Sequence, residues 1–219
     1  MTAFSAIIKG TYACPLNCVY CYNGPQHDRR EVISVECAVR ITEQVCALAE
    51  RRGFSSVEFI WMGGEPLLVP KNVFDAVVDR QRRFVTTLTI NNFLQTSGYL
   101  VERCWPLLHH LAMNGFQFSV SIDGPADIHD AQRVRRGGGP THEIALQCLD
   151  RLRDIGAMVG AIAVLTREAC SNIDKFYSFF AERDIPFSFL PPYHSGSAYE
   201  RLDLIPTSEE LSAALIRAI

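Results

Sequence analysis

Six short apolar runs, each followed by a longer amphipathic stretch, restrict the fold of this chain more than any other feature of its sequence. The runs are FSAIIKG (4–10), SVEFIWM (56–62), TLTINNFLQT (87–96), FQFSVSI (116–122), MVGAIAVLT (158–166) and PFSFL (186–190), and they read as strands. Between them the helical period predicts a helix from Val35 to Arg51 behind a Ser34 cap, and a second from Pro70 to about Phe84. Further helices are expected from about Val101 to Asn114, from a Thr141 cap to Ile155, from Asn172 to Arg183, and from near Ser208 onward. The segment between Ile122 and Thr141, which contains RRGGG, reads as a long polar loop. Strands that alternate with crossover helices return in one direction and form a parallel sheet. The expectation is an α/β fold, a partial (βα)6 TIM-like barrel of parallel strands with outer helices and a lateral mouth. Functional residues in such a barrel collect at the C-terminal ends of the strands.

Composition excludes more than it suggests. A net charge of −3 gives no basic footprint for nucleic acid. No run approaches the ~18 apolar residues of a membrane span, and MTAFSAIIKGTYACP lacks the basic start and long apolar segment of a secretory signal. The expected setting is soluble and cytoplasmic. Of the eight cysteines, Cys37, Cys46, Cys104, Cys148 and Cys170 are scattered through helical segments and read as free, packed thiols.

The other three stand together. CPLNCVYCY (14–22) brings Cys14, Cys18 and Cys21 into the loop after the first strand, with Tyr20 before the last of them. GGEP (63–66) follows the second strand, TSG (96–98) the third and DGP (123–125) the fourth, so all four motifs share one rim. A structural zinc site closes its tetrahedron with four ligands, usually in two pairs. Three thiolates instead suit a four-iron, four-sulfide cluster with one iron left open. An amine and a carboxylate on a small molecule, as on the methionyl end of S-adenosylmethionine, can fill that position. One-electron reduction then breaks the sulfonium carbon–sulfur bond and releases a 5′-deoxyadenosyl radical.

Together these residues resemble the radical SAM enzymes. CPLNCVYCY is similar to the family's three-cysteine motif, GGEP to its motif after the second strand, and SIDGPADIHDAQR (121–133) to the branch of anaerobic sulfatase-maturating enzymes and peptide maturases. The resemblance implies that Cys14, Cys18 and Cys21 ligate one 4Fe-4S cluster and are catalytic. It implies that Gly63, Gly64 and Glu65 hold the methionyl amine of S-adenosylmethionine, and that Ser121 and Arg133 contact its carboxylate or ribose, with Tyr20 beside the cofactor. Glycines allow close approach to a ligand, and a planar guanidinium suits a carboxylate. Two departures stand out: Ser97 replaces the Asn of the branch's usual Thr-Asn-Gly, and the 219 residues contain no counterpart of the branch's C-terminal cysteine-rich domain for auxiliary clusters. The domain expectation is one radical SAM core over residues 1–219, with truncation at the C-terminus left open.

Plainer readings stand beside these. His27 could complete a zinc site, Glu65 could cap a loop or pair with an arginine, and Arg133 could belong to a solvated basic run with Arg135 and Arg136. Tyr20 could be a packing aromatic and His194 either a substrate contact or an ordinary loop residue, while RRGGG lacks the ending of a phosphate loop. The expected reaction is hydrogen abstraction from a peptide or protein side chain, with a reductant such as flavodoxin or ferredoxin. A small-molecule substrate (sugar, nucleoside or amino acid) and a non-catalytic metal-binding module are the alternatives.

Overall fold

A computed structural model describes residues 3–24 and 29–217. Strands β1 (Ala3–Lys9), β2 (Ser56–Met62), β3 (Thr89–Thr96), β4 (Gln117–Ser121), β5 (Val159–Val164) and β6 (Phe187–Leu190) form one sheet in sequence order. Every pairing is parallel. The sheet curls into a partial barrel flanked by helices α1 (Val35–Arg51), α2 (Lys71–Gln81), α3 (Val101–Met113), α4 (Ala126–Gln132), α5 (His142–Asp154), α6 (Arg167–Ser171), α7 (Ile173–Ala181) and α8 (Ser208–Arg217). Among the described residues neither β1 nor β6 has a second strand neighbour, which leaves the barrel open along one side.

The alternation of each strand decides which face is packed. In β2, Val57, Phe59 and Trp61 are at most 1% exposed and face the helices, while Glu58, Ile60 and Met62 lie half-buried on the concave face. Aromatic edges join the helical layer to the sheet, with Trp61 and Phe74 at 4.9 Å and Phe74 and Phe116 at 6.0 Å. At the far side Phe180 stacks on Phe187 at 4.3 Å. Burying each such ring stabilises the fold by roughly 1.5–3 kcal/mol. No helix among the described residues is long and apolar enough to cross a membrane.

The expected strand and helix order holds, with three differences. The second helix stops at Gln81 and the third strand starts at Thr89, because the chain between them closes tight turns from Phe84 N–H to Gln81 O and from Thr87 N–H to Phe84 O. The polar loop after β4 contains α4, whose buried face is Ile128, His129 and Gln132, so an apolar pattern never announces it. The helix expected from Asn172 runs as α7, and a short extra helix, α6, precedes it, beginning where the Thr166 hydroxyl accepts Ala169 N–H. Ser34 caps α1 as expected, accepting Cys37 N–H at 3.1 Å. Thr141 stands at the cap position of α5 but makes no side-chain cap; Asp130 Oδ1 instead accepts the N–H groups of Thr141 and His142 at 2.7 and 2.9 Å. All five scattered cysteines are free, Cys46, Cys148 and Cys170 buried and Cys37 and Cys104 half-buried.

Candidate functional site

The four rim motifs are joined by hydrogen bonds, main-chain ones between the cysteine loop and GGEP, and others that end on the side chains of Glu65, from TSG, and of Asp123 in DGP, from Tyr20. Past the ends of β1 and β2, Gly64 N–H donates to Thr11 O at 2.9 Å and Glu65 N–H to Ala13 O at 2.8 Å, carrying the parallel register up to Cys14. A Cβ on Gly64 would sit 2.2 Å from Ala13 O, so only glycine fits beneath the cysteine loop. Gly63, with φ of +126°, turns its carbonyl to the Asn23 amide at 2.6 Å. The two glycines therefore serve the close approach of two stretches of this chain.

The cysteine loop is strapped from the opposite side as well. Asn17 N–H donates to Val134 O at 2.8 Å, Val19 N–H to Gln132 O at 3.0 Å and Arg136 N–H to Pro15 O at 3.0 Å. Cys21 N–H closes a turn on Cys18 O, and Cys21 O accepts Ser197 N–H at 2.8 Å. Cys14, Cys18 and Cys21 are each half-buried on this loop. Burial pushes the Cys14 thiol well above its usual range, and the nearby Glu65 carboxylate and the other two thiols add to the shift. Burial raises Cys18 to about 11, against the opposing pull of Arg133. Thiols crowded in this way yield their protons to a metal, whose positive charge relieves both penalties.

Glu65 is fully buried. Its Oε1 accepts Thr96 Oγ1–H at 2.7 Å and Leu67 N–H at 3.2 Å, and its Oε2 accepts the Ser97 N–H at 3.0 Å and the Ser97 hydroxyl. These bonds occupy about the four acceptor positions a carboxylate has. Desolvation still raises its pKa, with the donors from Ser97, Thr96 and Leu67 pulling the other way. Ser97, the departure from the branch's usual Asn, thus ties the loop after β3 to the carboxylate of the loop after β2.

Arg133 corrects the solvated-run reading, being 8% exposed. Its Nε and Nη2 donate to Asp123 Oδ2 and Oδ1 at 2.9 and 3.1 Å, a bidentate pair. Nη1 has no partner among the described residues. Asp123 is the residue that sequence reasoning passed over. Its fully buried carboxylate also accepts the Tyr20 hydroxyl and, at 2.8 Å, Val164 N–H. Tyr20, 7% exposed, is therefore a packed aromatic with its hydroxyl on Asp123 and the Arg133 guanidinium 5.4 Å from its ring centre. The only signal was the position of DGP directly after a strand.

Behind the pair stands His129, 1% exposed. Asp123 N–H donates to its Nδ1 at 3.1 Å, which fixes the neutral Nε2–H tautomer, and Nε2 faces Thr141 Oγ1 at 3.1 Å. The Thr141 hydroxyl donates onward to Arg133 O. Burial lowers the His129 pKa to about 4. An unfolded histidine titrates near 6.5, so as pH falls from about 6.5 to about 4 the unfolded chain takes up a proton that the folded chain refuses. Stability should fall over that window by up to about 1.4 kcal/mol per pH unit from this residue. Comparing urea midpoints of wild type and His129→Gln from pH 7 to 4.5 checks it; parallel pH profiles would refute it.

Ser121 ends β4 at 4% exposure on the face shared with Gln117 and Ser119, and its hydroxyl makes no hydrogen bond among the described residues. His194 stacks on Tyr199 at 5.0 Å and packs within its own loop. RRGGG closes on itself through Arg135 Nε–H to Gly138 O at 2.6 Å. His27, on which the zinc reading depends, lies outside the described residues. Among the described residues no three His, Cys, Asp or Glu side chains meet at the spacing of ligands around one ion. A four-iron cube asks for no such convergence, since each thiolate takes its own iron.

A family model described as the radical SAM superfamily matches residues 8–179. The chain belongs to the radical SAM superfamily. As a radical SAM enzyme it works with a 4Fe-4S cluster and S-adenosylmethionine, and the crowded, half-buried thiols of one loop fit the cluster's ligands. Its relatives include the cysteine-type anaerobic sulfatase-maturating enzyme of Clostridium perfringens, 29% identical over 194 residues, 85% of this chain and 51% of that one. The serine-type enzyme of Bacteroides thetaiotaomicron is 28% identical over 82% of this chain and 43% of its own length. The chain thus spans about half the length of the curated relatives it matches. Among solved structures, native anSMEcpe with bound AdoMet and Cp18Cys peptide superposes with a TM-score of 0.84 at 24% identity, covering 99% of this chain and 59% of that one. At that identity the likeness shows the fold.

Proposed function

We propose that this radical SAM enzyme abstracts a hydrogen atom from a peptide or protein side chain presented at the open side of the barrel. The observation that carries the reading is the loop of Cys14, Cys18 and Cys21, strapped to the C-terminal rim of a parallel partial barrel. When bound, the reduced cluster supplies one electron to the sulfonium of S-adenosylmethionine, giving methionine and the 5′-deoxyadenosyl radical that takes the substrate hydrogen. A flavodoxin or ferredoxin is the proposed source of that electron.

The chain's own residues divide the remaining work. Cys14, Cys18 and Cys21 would hold the cluster by three of its irons, leaving one open to S-adenosylmethionine. The backbone of Gly63, Gly64 and Glu65 receives the methionyl amine, while the Glu65 carboxylate acts through the strap, its acceptor positions being filled from Leu67, Thr96 and Ser97. Ser121 Oγ and Arg133 Nη1, both without partners among the described residues, contact the methionyl carboxylate or the ribose. Tyr20 holds the cysteine loop against Asp123 beside the cluster. The names of the relatives support a peptide or protein substrate.

The test is anaerobic reconstitution with iron and sulfide, followed by dithionite, S-adenosylmethionine and a deuterated candidate peptide. About four irons per chain, 5′-deoxyadenosine, and deuterium carried into it are expected. Iron without 5′-deoxyadenosine would leave a metal-binding module. Deuterium transfer from a sugar, nucleoside or amino acid but from no peptide would overturn the substrate class.

A further inference from the structure

Two buried side-chain polar atoms among the described residues have no hydrogen-bond partner, Trp61 Nε1 and Gln132 Oε1. Trp61 lies on the helix-facing side of β2 against Phe74, away from the concave face. Gln132 lies at the rim. Its backbone carbonyl accepts Val19 N–H from the cysteine loop, and its Nε2 donates to Thr166 Oγ1, just past the end of β5, at 2.9 Å. The amide is thus fixed at one end between two functional loops and unsatisfied at the other, at 2% exposure. Elsewhere the fold completes such groups. Gln81 and Asn92, also buried between helix and sheet, exchange hydrogen bonds between their amides at 3.0 and 2.8 Å. An unpaired buried acceptor weakens a fold, and its retention calls for a partner absent from the chain itself.

We infer that Gln132 is a cofactor-binding residue whose free amide oxygen accepts a hydrogen bond from the nucleoside of S-adenosylmethionine. The inference rests on the proposed function, which directs the methionyl end to the cysteine loop and to the strap of residues 63–65 beside β1 and β2. Gln132 stands on the other side of that loop, tied to Thr166 past the end of β5, and a cofactor held at its methionyl end by residues 63–65 would reach it with its nucleoside by crossing the cysteine loop. A nucleoside offers donors there, two ribose hydroxyls and the exocyclic adenine amine, and the amide oxygen is an acceptor. In the ligand-free chain the oxygen is closed off from solvent, so binding requires the amide to exchange its Thr166 partner and turn toward the ligand.

The experiment titrates S-adenosylmethionine and S-adenosylhomocysteine into reconstituted wild type, Gln132→Met and Gln132→Asn, and follows thermal unfolding of each ligand-free chain. Both nucleosides should bind about tenfold more weakly to both variants, with iron content unchanged. Gln132→Asn keeps the amide but withdraws it by one methylene, and it decides the matter if the methionine variant does not fold. Wild-type affinity in a folded variant, with ligand-free stability equal or higher, would make the orphan atom a packing defect and overturn the inference alone. A wild-type chain that holds its cluster but binds neither nucleoside would bring down the proposed function and this inference together.

Discussion

Cys18→Ala will leave a folded chain that cannot hold its cluster and releases no 5′-deoxyadenosine. The fold survives because the loop is fastened by main-chain groups, Asn17 N–H to Val134 O, Val19 N–H to Gln132 O and Cys21 O from Ser197 N–H, none of which involves the thiol. The cluster does not survive, because with two thiolates the loop leaves a second iron without a protein ligand. Cys14→Ala and Cys21→Ala should behave alike. Alanine at Cys37, Cys46, Cys104, Cys148 or Cys170 should leave iron and sulfide content unchanged, since these thiols lie in the helices and take no part in the loop. Iron and sulfide analysis with the visible absorption spectrum reads the result, and a Cys18→Ala chain with a full cluster and full turnover would end the assignment.

Asp123→Ala will cost the fold about 3–5 kcal/mol, the range for breaking one side of a buried ion pair. The loss has several parts. Arg133 stays buried with its charge unmatched, Val164 N–H loses its acceptor, and the Tyr20 hydroxyl loses the anchor that draws the cysteine loop inward. For a chain of this size the melting temperature should drop on the order of 10 °C. Asp123→Asn keeps the shape and should lose less. Combining Asp123→Leu with Arg133→Met should recover part of the loss, because removing both charges removes the unmatched one. A ligand-free Asp123→Ala chain that melts with wild type would show that the pair contributes nothing to the fold.

The two predictions differ in how far the sequence could lead to them. Strand alternation exposed the sheet, because Val57, Phe59 and Trp61 alternate with Glu58, Ile60 and Met62 whatever they pack against. Helices α4 and α6 escaped, being short and, in α4, buried through His129 and Gln132 as much as through Ile128. At the site, the three cysteines were legible because their chemistry depends on spacing within one loop. Asp123 was not, because everything that makes it matter comes from elsewhere in the chain: Tyr20, Arg133 and Val164 reach it only once the curled sheet brings the loop after β1 to the ends of β4 and β5. Glu65 was visible as a motif, yet the four donors around it come from residues 67, 96 and 97, and the sequence carried no sign that its carboxylate was already satisfied.

Tyr20 and Asp123 are 103 residues apart, and Cys21 meets Ser197 farther still along the chain. The cysteine loop thus takes its shape from segments that lie far from it in sequence. Long-range closures of this kind form late in folding. Iron that meets the unfolded chain would find three unconstrained thiols, whereas iron that meets the folded chain would find a shaped loop. The shape of the iron site is thereby a property of the folded chain and not of the cysteine loop alone.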